Sequence, residues 1–161
     1  MMGCDEQSAR ERVYAEKLAR MIRVRTVQEP GNAQSFEDFH ALLEELFPAV
    51  FERCELKMFG DDGGSLLFRW RSACADEVKQ PALLLMSHQD VVDAEGPWTH
   101  EPFGGEIAEG RVWGRGALDI KGNLLCILQA IEELIEAGFS PATDVYVASS
   151  DCEEIGGNDL V

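Results

Sequence analysis

Three short stretches carry side chains able to hold a metal ion and move a proton. The first is Ser87-His88-Gln89-Asp90, directly after Leu83-Leu84-Leu85. Positions two apart in an extended chain point to the same side, so His88 and Asp90 can share a face. A neutral imidazole is a good zinc ligand, and its other ring N–H needs an acceptor, which Asp90 can supply. The same four residues also read as a satisfied histidine and a turn-forming aspartate at a strand end. The second stretch is Trp113-Gly114-Arg115-Gly116-Ala117-Leu118-Asp119, which opens a helical pattern. Asp119 suits a helix N-cap, and a carboxylate there could equally bridge two divalent cations. The third is Cys152-Glu153-Glu154-Ile155-Gly156-Gly157. In an extended segment adjacent carboxylates diverge, so one could ligate a metal while the other serves as general base toward a water. An isolated Glu-Glu pair also reads as a solvated acidic loop.

Gly114-Arg115-Gly116 superficially resembles a dinucleotide fingerprint, but Asp119 stands at the third glycine position. A carboxylate at that helix start repels a pyrophosphate, which argues against a nucleotide site. A mixed imidazole and carboxylate set suits zinc, with manganese or cobalt as substitutes.

These clusters need strand ends and a helix start to bring them together. Residues 8–24 repeat Val13, Leu18, Met21 and Ile22 near a 3.6 period and predict a helix. Glu29-Pro30-Gly31-Asn32 breaks it. Ser35 can cap a second helix whose buried stripe is Phe36, Phe39, Leu42, Leu43, Leu46 and Phe47. Residues 54–59 and 65–71 predict two strands around the turn 61–64, and 76–80 a polar loop. The continuous apolar run 82–86 predicts a strand buried on both faces. Glu109-Gly110 marks a hairpin between Ile107 and Val112-Trp113. Residues 121–137 form a strong helical pattern ending at Gly138, with Cys126 as a small core residue, and 145–149 a further buried strand. The order implies an α/β domain with a mixed, largely buried sheet flanked by helices. Ligand sites in open α/β sheets gather at the strand C-termini, and the three clusters fall just past strand ends or at a helix start.

The 161 residues fit one domain. With 14 basic and 30 acidic residues the formal charge is −16, which disfavours nucleic acid and anionic membrane as partners. No apolar run approaches the ~20 residues of a membrane span. The N-terminus lacks a basic start followed by an apolar stretch, so no signal peptide is expected. Five cysteines without a close-spaced pair fit a reducing, cytoplasmic setting. His40 on the second helix reads as structural or exposed, and His100 as a residue of the Trp98-Thr99-His100-Glu101-Pro102-Phe103 loop.

The stretches Ser87-His88-Gln89-Asp90-Val91-Val92, Trp98 to Phe103, Gly110-Arg111-Val112-Trp113-Gly114-Arg115-Gly116-Ala117-Leu118-Asp119-Ile120-Lys121-Gly122 and Glu153-Glu154-Ile155-Gly156-Gly157 occur in one order. That set resembles the co-catalytic zinc hydrolases that include acetylornithine deacetylase, succinyl-diaminopimelate desuccinylase, aminoacylase and carboxypeptidases. Its wording is most similar to the carboxypeptidase S and N-acyl-amino-acid hydrolase branch. The resemblance implies a zinc-peptidase-like catalytic domain with two zinc ions per complete site. It implies His88 on one metal, Asp119 bridging both with a cis peptide to Ile120, and Glu154 on the second metal. It implies Asp90 as the group orienting His88 and Glu153 as the general base. The implied reaction is hydrolysis of an amide next to a carboxylate, in a small peptide or an N-acyl amino acid.

Asp93 stands where the family usually has proline, and Cys152 where an acidic residue often precedes the Glu pair. Family members also continue further. They add a carboxylate and a late histidine to the metals, and a lid domain through which the full-length protein could form a homodimer. Residues 1–161 are therefore expected to be the N-terminal part of the catalytic domain, incomplete at the C-terminus and weak or inactive alone. The alternative is a non-catalytic truncated domain with no metal-dependent activity.

Overall fold

The computed structural model describes residues 4–60, 64–73 and 81–157, with side chains from residue 8 onward. The elements run α1 (Cys4–Arg23), α2 (Ala33–Leu46), α3 (Pro48–Arg53), β1 (Glu55–Phe59), β2 (Ser65–Trp70), β3 (Leu83–His88), β4 (Glu106–Ala108), β5 (Arg111–Trp113), α4 (Lys121–Glu136) and β6 (Val145–Ser150), then a 3₁₀ turn at Glu153–Ile155. Among the described residues the main sheet has the order β1-β2-β6-β3. The β1–β2 and β2–β6 pairs are antiparallel and β3–β6 is parallel, so the sheet is mixed. The expected polar loop 76–80 lies outside the described residues, as does most of the expected turn 61–64.

The core lies between the sheet and the helices. Met21 of α1, Phe39 and Leu43 of α2, and Leu124 and Leu128 of α4 pack with Leu66 and Phe68 of β2 and Val147 of β6. Burying each such side chain contributes about 1.5–3 kcal/mol. The short helix α3 follows the stripe that ends at Phe47 and has no counterpart in the sequence reading. Pro48 at its start removes an N–H that a helix running on from α2 would need. Its first free amides, Ala49 and Val50, donate to the carboxylate of the buried Glu132 at 3.0 and 2.8 Å. That contact ties α3 to α4.

Four expectations change. Ser35 lies inside α2; Asn32 is the residue before the helix, and Ser35 Oγ donates to Asn32 Oδ1. β3 is not buried on both faces: among the described strands it is the sheet's edge, with Leu84 and Met86 54% and 60% exposed. An apolar run shows that a strand can be buried, whereas its neighbours decide whether it is. Cys126 is exposed, because the buried face of α4 runs through Leu124, Leu125, Leu128 and Ile131. Asp119 does not cap α4; that position is Ile120, with no side-chain cap. The β4–β5 hairpin forms as expected, with both Glu109 and Gly110 at positive φ, as a two-residue turn matching strand twist requires.

Candidate metal centre

β3 and β6 run parallel, so the chain leaves both at the same end of the sheet. His88 closes β3, and Glu153 and Glu154 follow β6 by three and four residues. The turn before α4 delivers Asp119 to the same place, and the Asp119–Ile120 peptide is cis. One donor atom from each of His88, Asp119 and Glu154 lies within 4.8 Å of the other two. His88 is buried, Glu154 half-buried and Asp119 exposed. Glu153 sits beside them, its Oε2 3.6 Å from His88 Nε2. The Glu pair lies in a single 3₁₀ turn and not in the extended segment expected from sequence.

Asp90 touches both strand ends. Its carbonyl oxygen lies 3.0 Å from His88 Nδ1 and can only accept, so Nδ1 carries the proton and Nε2 is left for a ligand. Its carboxylate Oδ1 lies 3.3 Å from Nδ1 without a hydrogen bond of its own. The other oxygen, Oδ2, accepts the Glu154 backbone N–H at 2.9 Å. Both the carbonyl of Asp90 and its carboxylate, the group that sequence reasoning assigned, thus face His88 Nδ1.

The electrostatics favour a cation. Burial alone lowers the affinity of His88 for a proton. Hydrogen bonding to Asp90 and the charges of Asp90 and Glu153 outweigh it and lift the imidazole to about 9. Burial raises the Glu154 carboxyl above its ordinary value, reinforced by the charges of Asp119, Asp90 and Glu153 and opposed by His88. The His88 Nε2 to Asp119 Oδ1 distance is 3.3 Å. Two donors about 2.0–2.1 Å from one tetrahedral zinc ion stand about 3.3 Å apart, so this pair fits a common ion.

Sequence reading missed the buried polar residues behind the candidate donors. Gln89 is fully buried and donates to the Gly64 carbonyl at 2.6 Å, while its Oε1 meets His40 Nε2 at 2.9 Å. Asp151 accepts from Ser65 Oγ at 2.6 Å. Lys121 is fully buried, and burial lowers its ammonium to about 7. The available signal was alternation: residues next to a ligand at a strand end face inward, and a polar one there needs partners. His100 stacks on Trp113 with ring centroids 4.2 Å apart and pairs with Glu106. Arg115 reaches the Asp93 carbonyl and lies over Trp98.

The sequence model of Peptidase family M20/M25/M40 matches residues 84–161. "Probable carboxypeptidase S-like 2" of Dictyostelium discoideum is 35% identical over 153 residues, covering 89% of this chain and 28% of that protein. "N-fatty-acyl-amino acid synthase/hydrolase PM20D1" of Xenopus tropicalis is 34% identical over 147 residues, covering 89% and 28%. Carboxypeptidase S of Saccharomyces cerevisiae is 31% identical over 157 residues, covering 88% and 26%. The chain therefore spans little more than a quarter of the length of these relatives. The M20 metallo-carboxypeptidase Sso-CP2 of Sulfolobus solfataricus shares the fold at a TM-score of 0.71 and 21% identity, covering 91% of this chain and 32% of that one. Human carnosine dipeptidase 1 does so at 0.70 and 15% identity, covering 95% and 34%. The sequence match spans all three candidate donor segments, and the fold brings their donor atoms together: residues 84–161 carry a peptidase M20 domain.

Proposed function

We propose that this chain supplies the metal-holding core of a zinc-dependent hydrolase that cleaves an amide bond in a peptide or an N-acyl amino acid. The observation that carries the reading is the meeting of His88, Asp119 and Glu154 within 4.8 Å from three separate segments. The substrate class rests on relatives named as carboxypeptidases and as an N-fatty-acyl-amino acid hydrolase. In this reading His88 and Asp119 hold one ion and Asp119 and Glu154 a second, with cobalt or manganese as substitutes. Bound there, the ions polarise the scissile carbonyl and lower the pKa of a shared water.

The chain's own residues do the rest. Asp90 keeps the proton of His88 on Nδ1 and so leaves Nε2 free to ligate. Glu153, 60% exposed and beside the ligands, acts as the general base. Its carboxylate takes the proton of the attacking water and hands it to the leaving amine nitrogen. The remaining ligands, a homodimer formed through a lid domain and a cytoplasmic setting belong to the same proposal and concern the longer protein.

The test is a zinc titration of the 161-residue chain against a fluorescent chelator. Asp119→Asn and Glu154→Gln should each weaken binding at least about tenfold, and Glu153→Gln should change it less than about twofold. Equal zinc affinity in the native chain and Asp119→Asn would refute the site and favour a non-catalytic domain.

A further inference from the structure

Residues 24–28 follow α1 as an irregular segment with Thr26 and Val27 buried. From sequence they are only the place where a helix stops. In the fold this short stretch is tied to every segment that carries a metal ligand.

The His88 segment is tied through Thr26. Thr26 Oγ1 donates to the Gln89 carbonyl at 2.5 Å, and the Thr26 carbonyl accepts the Val91 N–H at 2.9 Å. The Asp119 turn is tied through Lys121, two residues further on. Its Nζ donates to the Val24 carbonyl at 2.7 Å and to the Met21 carbonyl at 3.0 Å, and it lies 4.7 Å from the centre of the Phe39 ring. The Glu154 turn is tied through Gln28, whose Nε2 donates to the Asp151 carbonyl at 2.7 Å and to Asp151 Oδ2 at 3.1 Å.

The segment itself is held straight from behind. Asn32 Nδ2 donates to the carbonyls of Arg25 and Val27 at 3.0 and 2.8 Å. The four consecutive carbonyls from Val24 to Val27 thus each meet a named donor. A loop with its carbonyls so committed has fewer alternative conformations, because a departure at the buried Thr26 or Val27 leaves a polar atom unpaired.

We infer that residues 24–28 register the three ligand-bearing segments against one another, with Thr26, Gln28 and Lys121 as positioning residues for His88, Glu154 and Asp119. This deepens the zinc reading and rests on it for its functional meaning. None of the three positioning side chains is a proposed ligand. Together they hold constant the spacing between donors that come from residues 88, 119 and 154. Hydrogen bonds at these donors alone do not do this, because among the described residues the exposed Asp119 carboxylate meets only His88 Nε2 at hydrogen-bonding distance, 3.3 Å.

The experiment compares the native chain with Thr26→Val, which keeps the shape and deletes the hydroxyl, and with Thr26→Ser, which restores it. Amide hydrogen exchange is read on the metal-free chain and Zn²⁺ affinity separately. In Thr26→Val the Glu154 N–H, which Thr26 does not touch, should exchange about tenfold faster, while core amides such as Leu128 change far less. Zn²⁺ affinity should fall about tenfold, and Thr26→Ser should recover both. Gln28→Leu, on a half-buried side chain, should likewise speed exchange at Val91 across the site, and serves if Thr26→Val does not fold. Exchange changes confined to the substituted residue's own contacts, or uniform across the core, would overturn the inference. A native chain that binds no Zn²⁺ but shows the expected cross-site exchange would overturn the zinc reading and leave the registration standing.

Discussion

The carboxylate of Asp90 accepts the backbone N–H of Glu154 at 2.9 Å, across 64 residues of sequence. The same residue, fully buried, holds His88 through its carbonyl. One side chain therefore locks the end of β3 to the turn after β6. Asp90 thus fixes where His88 and Glu154 stand, its carboxylate holding the Glu154 N–H and its carbonyl facing His88 Nδ1.

That arrangement predicts a large effect of a small change. Asp90→Asn keeps the size but leaves one acceptor oxygen for two donors, so its NH2 must face either the Glu154 N–H or the His88 ring. Zinc affinity should fall about 10–100-fold. Stability should fall by about 1–3 kcal/mol, as for a buried partner left unsatisfied. Chelator competition and urea unfolding measure the two.

The Asp144 carboxylate predicts an acid-sensitive tie between β2 and β6. Its carboxyl is held below its ordinary value by the Ser72 backbone N–H and by the Arg69 guanidinium. A depressed native pKa gives stability that is present above the unfolded value and lost as pH falls through the native one. Asp144→Asn should therefore be less stable than the native chain near pH 6, with the difference shrinking as pH falls below about 4. Urea midpoints of both chains between pH 6 and pH 2 decide it; a gap constant with pH would contradict the assignment.

Thiol chemistry should separate the cysteines by position in the fold. Cys126 is exposed on α4, whereas burial raises the Cys54 thiol to about 11. At pH 8 iodoacetamide should alkylate Cys126 in the native chain, and Cys54 only after unfolding. Peptide mass spectrometry reads the outcome directly.

Backbone packing against α1 makes Gly105 intolerant of a side chain. Gly105 has φ +55°, and a Cβ there would lie 2.3 Å from the Ala19 carbonyl oxygen of α1. Both the strained φ and a clash with helix backbone oppose Gly105→Ala, which should destabilise by at least about 1–2 kcal/mol. Gly110→Ala also has positive φ but open space, so it should cost less. Unfolding midpoints of the pair test whether the close approach of α1 matters beyond φ.

Sequence alone settled much of this protein. The 3.6-residue repeats mark α1, α2 and α4, Glu109-Gly110 marks its hairpin, and the types of His88, Asp119, Glu153 and Glu154 single out a candidate donor set for a divalent cation. These are properties of a residue and its near neighbours, so local patterning is enough to read them. What only the tertiary structure decided is which groups meet. Leu84 and Met86 lie exposed because they point away from the face of β3 whose Leu85 packs on the core, and Cys126 because α4 turns another face inward. Thr26 finds Gln89 from 63 residues away, Lys121 finds Val24 from 97, and Gln28 finds Asp151 from 123. No periodicity encodes such pairings. They arise because packing the helices on the sheet buries these polar atoms, and each buried polar atom must then find a partner among whatever segments the fold brings within reach.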